Sequence, residues 1–526
     1  MPKSIYLINP RSDAPSYYGG EAFAGHGMAP TISIADLATP TVAGLIPSGF
    51  AIKLCDENRD TIDLDAAVDY VAITGKVSQS QRMRELADAF RRRGATVVIG
   101  GPYASLDPDA VRPHCDILVR GELEELAPQL FGDLQDGRWK DEYQGNRPDL
   151  SHCSLPRWDL YPNADTLVCT LQTSRGCPFE CEFCDVIEYL GRRQRHKSIS
   201  QVLLELQSVY GHGYRHVFLA DDNLTVYRNR AKELLCALHD WNTTRENGPV
   251  HFYTQVSIDA ARDEELLRCC AAAPLRGVFI GLETSNASSL KEVKKRQNIN
   301  VDIKESVTRF VRHGIAVTGG MIVGFDSDHR NIFDDQFEFA MSLPVPIFTV
   351  GALVAPASTP IHRRLLSEGR LLMQDRTGVQ ATPWYTNIQP RHMSRDELVN
   401  GLRGLCRRIY DPSCFTARVL HFIDLFGSTR NTVLSALDSR TGLRPVQCRA
   451  VDLLHMLPAM GAPEARMWRD ISGRLASKPE ARDAVAHMLL QYIQIRYMYR
   501  QGFFWESPEV GTTYAGDVRR SATLHS

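Results

Sequence analysis

The chain lacks any long hydrophobic run. No apolar stretch reaches the roughly 20 residues that a membrane span needs. Its opening, Met1 to Pro10, is short and flanked by polar residues, so it reads as a first β-strand and not a secretory signal. It also lacks a charge excess: 60 basic and 62 acidic residues leave a net charge of −2, which gives no basis for a nucleic-acid or anionic-membrane partner. Paired cysteines are missing as well. The 13 cysteines are an odd number, scattered apart from one group. Without a secretion signal they are expected as free thiols in a reducing cytoplasm. No G-x-G-x-x-G follows the first strand, so a dinucleotide fingerprint is absent. The 526 residues suffice for two to four domains with ordinary cores.

Against these absences stands Ser174-Arg175-Gly176-Cys177-Pro178-Phe179-Glu180-Cys181-Glu182-Phe183-Cys184, with cysteines spaced C-x3-C-x2-C. Thiolates are soft ligands suited to iron–sulfur clusters. A 4Fe–4S cluster takes four ligands, and this loop supplies three, so one iron is left open for a small molecule. Such an iron can bind the amino and carboxylate groups of S-adenosylmethionine (SAM). A reduced cluster can then break a carbon–sulfur bond of SAM and release a carbon radical. A zinc knuckle is the bland alternative, but it wants a second C-x2-C or His pair, and Cys153 and Cys169 do not form one. Gly176 and Pro178 favour a tight loop, and Phe183 is a candidate to pack on an adenine. The motif, with an aromatic before its last cysteine, resembles the signature of the radical SAM superfamily.

Around this loop, residues 166 to 360 read as six strand–helix pairs, a partial (β/α)6 barrel of TIM type. The strands are expected at 167–173, 216–220, 251–256, 277–282, 316–323 and 348–354. Chemistry in barrels sits at the carboxyl ends of strands. Asp221 and Asp222 end the second strand and suit the SAM ammonium. Gln255 and Ser257 end the third and Glu283 the fourth, and Gln255 and Glu283 suit ribose hydroxyls. Gly320 and Gly324 frame a fifth strand that can pass close to adenine. The basic run Lys291 to Arg296 can reach an acidic group, though such runs are more often a solvated helix face. Each strand-end residue has a plain alternative as a cap or salt bridge.

Residues 1 to 145 alternate strands and helices in the pattern of a Rossmann-like, doubly wound parallel sheet. Gly100, Gly101 and Gly121 fall just after strands, where open sheets bind ligands, and glycine lets a broad ligand approach the backbone. Pro40 is expected as the first residue of a helix. This half resembles the cobalamin-binding domain that precedes the radical domain in one subfamily. The resemblance implies cobalamin, and a bulky residue at Gly101 is then expected to block it. The His of the cobalamin signature D-x-H-x-x-G is missing from Asp56 to Asp60, so cobalt is expected to lack a protein nitrogen ligand. The open alternative is a Rossmann-like domain that holds no cofactor.

Residues 146–165 read as a linker, within a polar connector that begins near Gly132. It contains Leu155-Pro156-Arg157-Trp158-Asp159-Leu160-Tyr161-Pro162, an apolar latch for a domain junction or simple packing. Residues 361–505 read as mostly helical. Met488, Tyr492, Tyr497, Met498, Tyr499, Phe503, Phe504 and Trp505 are expected either to cap the barrel mouth and line the substrate site or to form plain core. Residues 506–526 read as a disordered tail.

Val323-Gly324-Phe325-Asp326-Ser327-Asp328 and Thr386-Asn387-Ile388-Gln389-Pro390-Arg391-His392-Met393-Ser394 resemble the group that contains the hopanoid C-2 methylase and other cobalamin-dependent radical SAM methyltransferases. The resemblance implies a C-methyltransferase acting on an unactivated carbon of a small molecule, reduced by a donor such as flavodoxin or ferredoxin. Two alternatives stay open. One is a non-methylating radical SAM enzyme: a cyclase, a carbon-bond former or an aminocarboxypropyl transferase. The other is a non-catalytic metal-binding regulator.

Overall fold

The computed structural model describes residues 2–372, 384–427 and 442–501. The expected tail at 506–526, with Phe503, Phe504 and Trp505, lies outside the described residues.

Fifteen strands are found among the described residues. β1 (Lys3–Asn9), β3 (Phe50–Asp56), β4 (Tyr70–Thr74), β5 (Thr96–Gly100), β6 (Ile117–Arg120) and β7 (Glu142–Gln144) form one parallel sheet in the order β3-β1-β4-β5-β6-β7. Alternate side chains feed two cores, as a sheet covered on both faces requires. Ile5, Leu7, Val98 and Phe131 pack on one face, and Tyr6, Ile8, Val71 and Phe90 on the other.

The second sheet holds β2 (Ile32–Ile34), β8 (Thr166–Leu171), β11 (His216–Leu219), β12 (His251–Gln255), β13 (Leu275–Glu283), β14 (Ala316–Val323) and β15 (Ile347–Ala352). Its order is β15-β14-β13-β12-β11-β8-β2, all parallel, and it forms the half-barrel. A two-stranded ribbon of β9 (Ser174–Arg175) and β10 (Arg195–His196) stands beside it.

Three features differ from expectation. The polar stretch after Gly132 is no plain connector. Helix Ala127–Asp136 buries Leu130, Phe131 and Leu134 and ends at Gly137 with φ +68°, after which β7 adds an edge to the first sheet. Its polar residues are the outer face of an amphipathic helix. Pro40 lies at the third position of helix Ala38–Leu45, because Asp36 caps the helix earlier by accepting from Thr39 N and Oγ1. Third, the barrel sheet has a seventh strand, drawn from the first 40 residues.

That N-terminal segment bridges the open side of the half-barrel. β2 pairs with β8 at one edge. At the other edge, Tyr17 Oη donates to the Val350 carbonyl at 2.8 Å and accepts from Val350 N at 3.0 Å. Helix Arg482–Gln501 packs on this segment, with Gln494 Oε1 accepting from Ala22 N. The helix closes the amino-terminal ends of the strands, not the mouth. His487 lies 5.2 Å, ring to ring, from His216, the first residue of β11. Tyr492, Met498 and Tyr499 are buried core, whereas Met488 lines a cavity in the barrel.

The Trp158–Tyr161 stretch does tie the two sheets together. The rings meet edge to face at 5.4 Å, and Tyr161 Oη donates to buried Asp56 at 2.6 Å.

Candidate active site

The loop of Cys177, Cys181 and Cys184 hangs between the β9–β10 ribbon and the outer end of β13. Gly176 takes φ +96°, and a Cβ there would fall 2.7 Å from the Arg193 carbonyl and 2.9 Å from that of Gly191. Only glycine fits this turn. The loop is pinned by Cys177 N to Gly191 O at 3.2 Å, Glu182 N to Val293 O at 3.0 Å and Ile361 N to Glu182 O at 3.1 Å. Burial raises the Cys177 thiol and pushes that of Cys184 up to about 12. Lys295 works against this at both, favouring the thiolates that ligation requires. Among the described residues, no three His, Cys, Asp or Glu side chains are placed to hold a single metal ion. Three thiols on one loop, with Lys295 favouring their charged form, are a donor set of the kind that holds a thiolate-bound cluster.

The strand-end carboxylates divide. Asp221 is fully buried, and both its oxygens are occupied. Thr173 N and Ser174 N donate to Oδ1 at 2.7 and 3.0 Å, and the hydroxyls of Thr173 and Ser174 to Oδ2. Asp221 therefore fixes the start of the cluster loop and leaves no oxygen for a SAM ammonium, which corrects the expectation for it. Asp222 accepts from Gly176 N at 2.7 Å through Oδ2. Burial raises its carboxyl to about 6, and the Gly176 bond acts against the rise.

Glu283 sits at a bulge where the β13–β14 register shifts, with φ +64°. A left-handed glutamate is uncommon and persists where its surroundings over-determine it. Here Gln336 Nε2 donates to the Glu283 carbonyl at 2.9 Å, and Asn298 Nδ2 holds the carbonyls of Gly281 and Leu282 at 2.9 and 3.0 Å. The Glu283 carboxylate pairs with Lys295 Nζ at 2.7 Å. Burial opposes the Lys295 charge, but Glu283 and the thiols outweigh it and its pKa rises. Lys295 belongs to the run Lys291 to Arg296, yet it is buried beside the cluster loop and does not lie on a solvated face.

Gly100, Gly101, Gly121 and Gln255 come together on one continuous cavity of about 930 Å³. It joins the carboxyl ends of the first sheet to the barrel lumen. Phe183, Asp222, Ser257, Glu283, Gly320 and Gly324 do not line it. Ser257 opens a short 3-10 turn, its carbonyl accepting from Ala260 N at 3.1 Å. At Gly320 a Cβ would meet the Phe279 ring at 2.8 Å. Gly324 has φ +104° and lies against Leu398, with Asp328 capping its turn, so the turn itself requires glycine here. Phe183 packs toward Phe325 at 6.3 Å with Lys295 Nζ 5.7 Å from its ring centroid.

A buried ionic network was not legible in the sequence. Glu122, just past β6, holds Arg175 at 2.6 Å and Arg195 at 2.5 Å, and Glu124 holds Arg175 at 2.7 Å. Arg175 is two residues before Cys177, so the first sheet grips the base of the cluster loop. These partners lie 53 and 73 positions apart, and no local pattern could reveal them.

The sequence matches the Radical SAM superfamily over residues 171–339, and a Domain of unknown function (DUF4070) over 359–501. It is 32% identical over 384 residues to the uncharacterized methyltransferase sll1242 of Synechocystis, covering 72% of this chain and 71% of that protein. The chain belongs to the radical SAM superfamily. It is also 30% identical to the hopanoid C-2 methylase of Rhodopseudomonas palustris, over 64% of each chain. Among solved structures, it resembles the cobalamin-dependent SAM radical enzyme OxsB (TM-score 0.61, 15% identity, 95% of this chain and 80% of that one). It also resembles the radical SAM methyltransferase TsrM of Kitasatospora setae (TM-score 0.56, 17% identity, 70% and 78%). These likenesses are of fold. As a radical SAM enzyme, the chain uses a 4Fe–4S cluster and SAM, and Cys177, Cys181 and Cys184 carry the family's motif.

Proposed function

We propose that this radical SAM enzyme is a cobalamin-dependent C-methyltransferase acting on a small molecule at an unactivated carbon. The observation that carries the reading is a cavity joining the ligand surface of the first sheet to the barrel lumen, with Arg175, two residues before Cys177, on its wall. The names of the relatives and the cobalamin held by OxsB and TsrM support it. When bound, the cluster supplies the electron that cleaves a carbon–sulfur bond of SAM, and cobalamin supplies methyl carriage.

The protein's own residues bind, orient and exclude water. Cys177, Cys181 and Cys184 would hold the cluster. Asp222, Glu283 and Lys295 would receive the polar groups of SAM. Gly100 and Gly121 would admit the corrin. The cavity also enters the core of the first domain, where Ile5, Leu7, Val98, Leu130 and Phe131 line it, and so offers an apolar slot for an appended ring. Asn58 stands where the cobalt-ligating His of the signature would fall. It lines the cavity and donates to Asp56 at 2.7 Å, so cobalt would receive no histidine from it. A flavodoxin- or ferredoxin-like donor in the cytoplasm completes the reading. Among the described residues, no helix is long and apolar enough to cross a membrane.

The test uses Gly100 and not Gly101. Gly101 has φ +93°, and a Cβ there would lie 2.5 Å from Thr74 Oγ1, so any side chain strains the turn itself. At Gly100 a Cβ meets only Val119 at an ordinary 3.5 Å. Protein purified with hydroxocobalamin should retain about one cobalt per chain, one corrin per first domain. Gly100→Leu should lose it while keeping its iron. Wild-type protein that turns over its substrate without cobalt would contradict the reading.

A further inference from the structure

The cavity continues below the level of the cluster. His251, Tyr253 and Gln255 alternate on β12 with buried Phe252 and Thr254, and all three line the cavity. At about 3.3 Å per residue, His251 lies roughly 13 Å below Gln255. Barrel interiors are ordinarily filled by layers of bulky branched side chains. Here Gly277 and Ala316, paired in register, form part of the lower wall and leave the space open. The middle is apolar, with Val168, Phe218 and Phe279.

The floor is polar. His251, Tyr253 and Arg276 come from the strands, and His487 and Gln491 from the closing helix Arg482–Gln501. His216 stands behind them, its Nδ1 3.2 Å from Tyr253 Oη. Gln491 Nε2 is buried there with no well-formed hydrogen bond, Tyr18 Oη being its nearest acceptor. A buried amide donor left poorly paired is costly, and such exceptions call for a missing partner. Burial favours the neutral form of His216 and of His251, which falls to about 3, while His487 is exposed to the cavity. Arg276 faces the charge of Asp483. The floor thus presents neutral donors and acceptors, beside the facing charges of Arg276 and Asp483, at the end of an apolar shaft.

We propose that this floor is a binding subsite for the neutral, oxygen-bearing terminus, such as an alcohol, of an elongated apolar substrate. The other end of that substrate lies at the level of the cluster loop. The role in substrate binding rests on the methyltransferase reading above. Asp483 and Glu480 also line this end, but the Asp483 charge already faces Arg276, so an ammonium terminus beside Arg276 is disfavoured.

The test is calorimetric binding of 1-decanol and decylamine to the full-length, cluster-reconstituted protein. A ten-carbon chain spans the roughly 13 Å shaft. 1-Decanol should bind at least tenfold more tightly than decylamine. His251→Leu and Gln491→Leu should each weaken 1-decanol about fivefold, in the range of one lost hydrogen bond. Gln491→Leu changes only the closing helix, so it keeps the test decisive if His251→Leu folds poorly. No binding of 1-decanol to the wild type, or equal binding by wild type and Gln491→Leu, overturns the subsite. Methyl transfer is scored separately. A protein that binds 1-decanol in this way but moves no methyl group from SAM contradicts the methyltransferase reading and leaves the floor's alcohol preference standing.

Discussion

At the residue scale, the Glu283–Lys295 pair is the most informative contact. Both side chains are nearly buried, at 7% and 13% exposure. Removing one partner of a buried pair leaves an uncompensated charge, a loss of about 3–5 kcal/mol. Lys295→Met is therefore expected to destabilise the protein more than the double variant Lys295→Met/Glu283→Gln, by thermal unfolding. If the pair also receives SAM, Glu283→Ala and Asp222→Ala should each weaken SAM binding about tenfold, roughly one charge-assisted hydrogen bond, with iron content unchanged. Unchanged SAM affinity in both would reduce these groups to packing around the loop. Asp221 marks the limit of reading single residues. Its position after the second barrel strand was legible. That Thr173 and Ser174 occupy both its oxygens was not, because the sequence does not show which way a strand-end side chain turns.

At the element scale, the closing helix Arg482–Gln501 brings His487 to His216 and His251. These rings face Tyr253, Arg276, Arg444 and Asp483. Burial lowers His216 and His251, the latter to about 3. The unfolded chain takes up these protons near the usual histidine value of about 6.5, while the folded state does not. Below that pH the unfolded state binds more protons, so stability falls as pH drops from about 6.5 toward 3 and is unaffected above it. At pH 5 the His251 contribution is about 2 kcal/mol. His251→Leu should narrow the difference in melting temperature between pH 7 and pH 5. An unchanged difference would mean that the floor is wetter than its burial indicates.

The period of the helix was readable from Ala481 to Tyr499, but its location at the lower end of the barrel was not. A three-residue strand such as β2 is too short to show a period at all, so the seventh barrel strand and the N-terminal bridge were not legible. The six longer barrel strands were legible because each joins an apolar run to a polar or glycine-rich end.

At the scale of the whole molecule, the first sheet and the barrel act on each other through Glu122. Its carboxylate is 3% exposed and holds both Arg175 and Arg195. Glu122→Ala leaves two buried guanidiniums with less compensation. It is expected to cost several kcal/mol and to reduce iron retained after desalting, since Arg175 adjoins the cluster loop. Glu122→Gln, which keeps the shape and part of the hydrogen bonding, should retain more iron than Glu122→Ala. Equal iron in wild type and Glu122→Ala would show that the loop holds its place without the first domain.

The central claim is that SAM serves this protein as a methyl source as well as a radical source. Its most direct test is anaerobic incubation of the reconstituted protein with trideuteromethyl-labelled SAM, a low-potential reductant and cobalamin, followed by mass analysis of the SAM-derived products. The account predicts 5′-deoxyadenosine together with S-adenosylhomocysteine that has lost the label, the second product appearing only when cobalamin is supplied. Methylthioadenosine that retains the label, or deoxyadenosine without any S-adenosylhomocysteine, would contradict it.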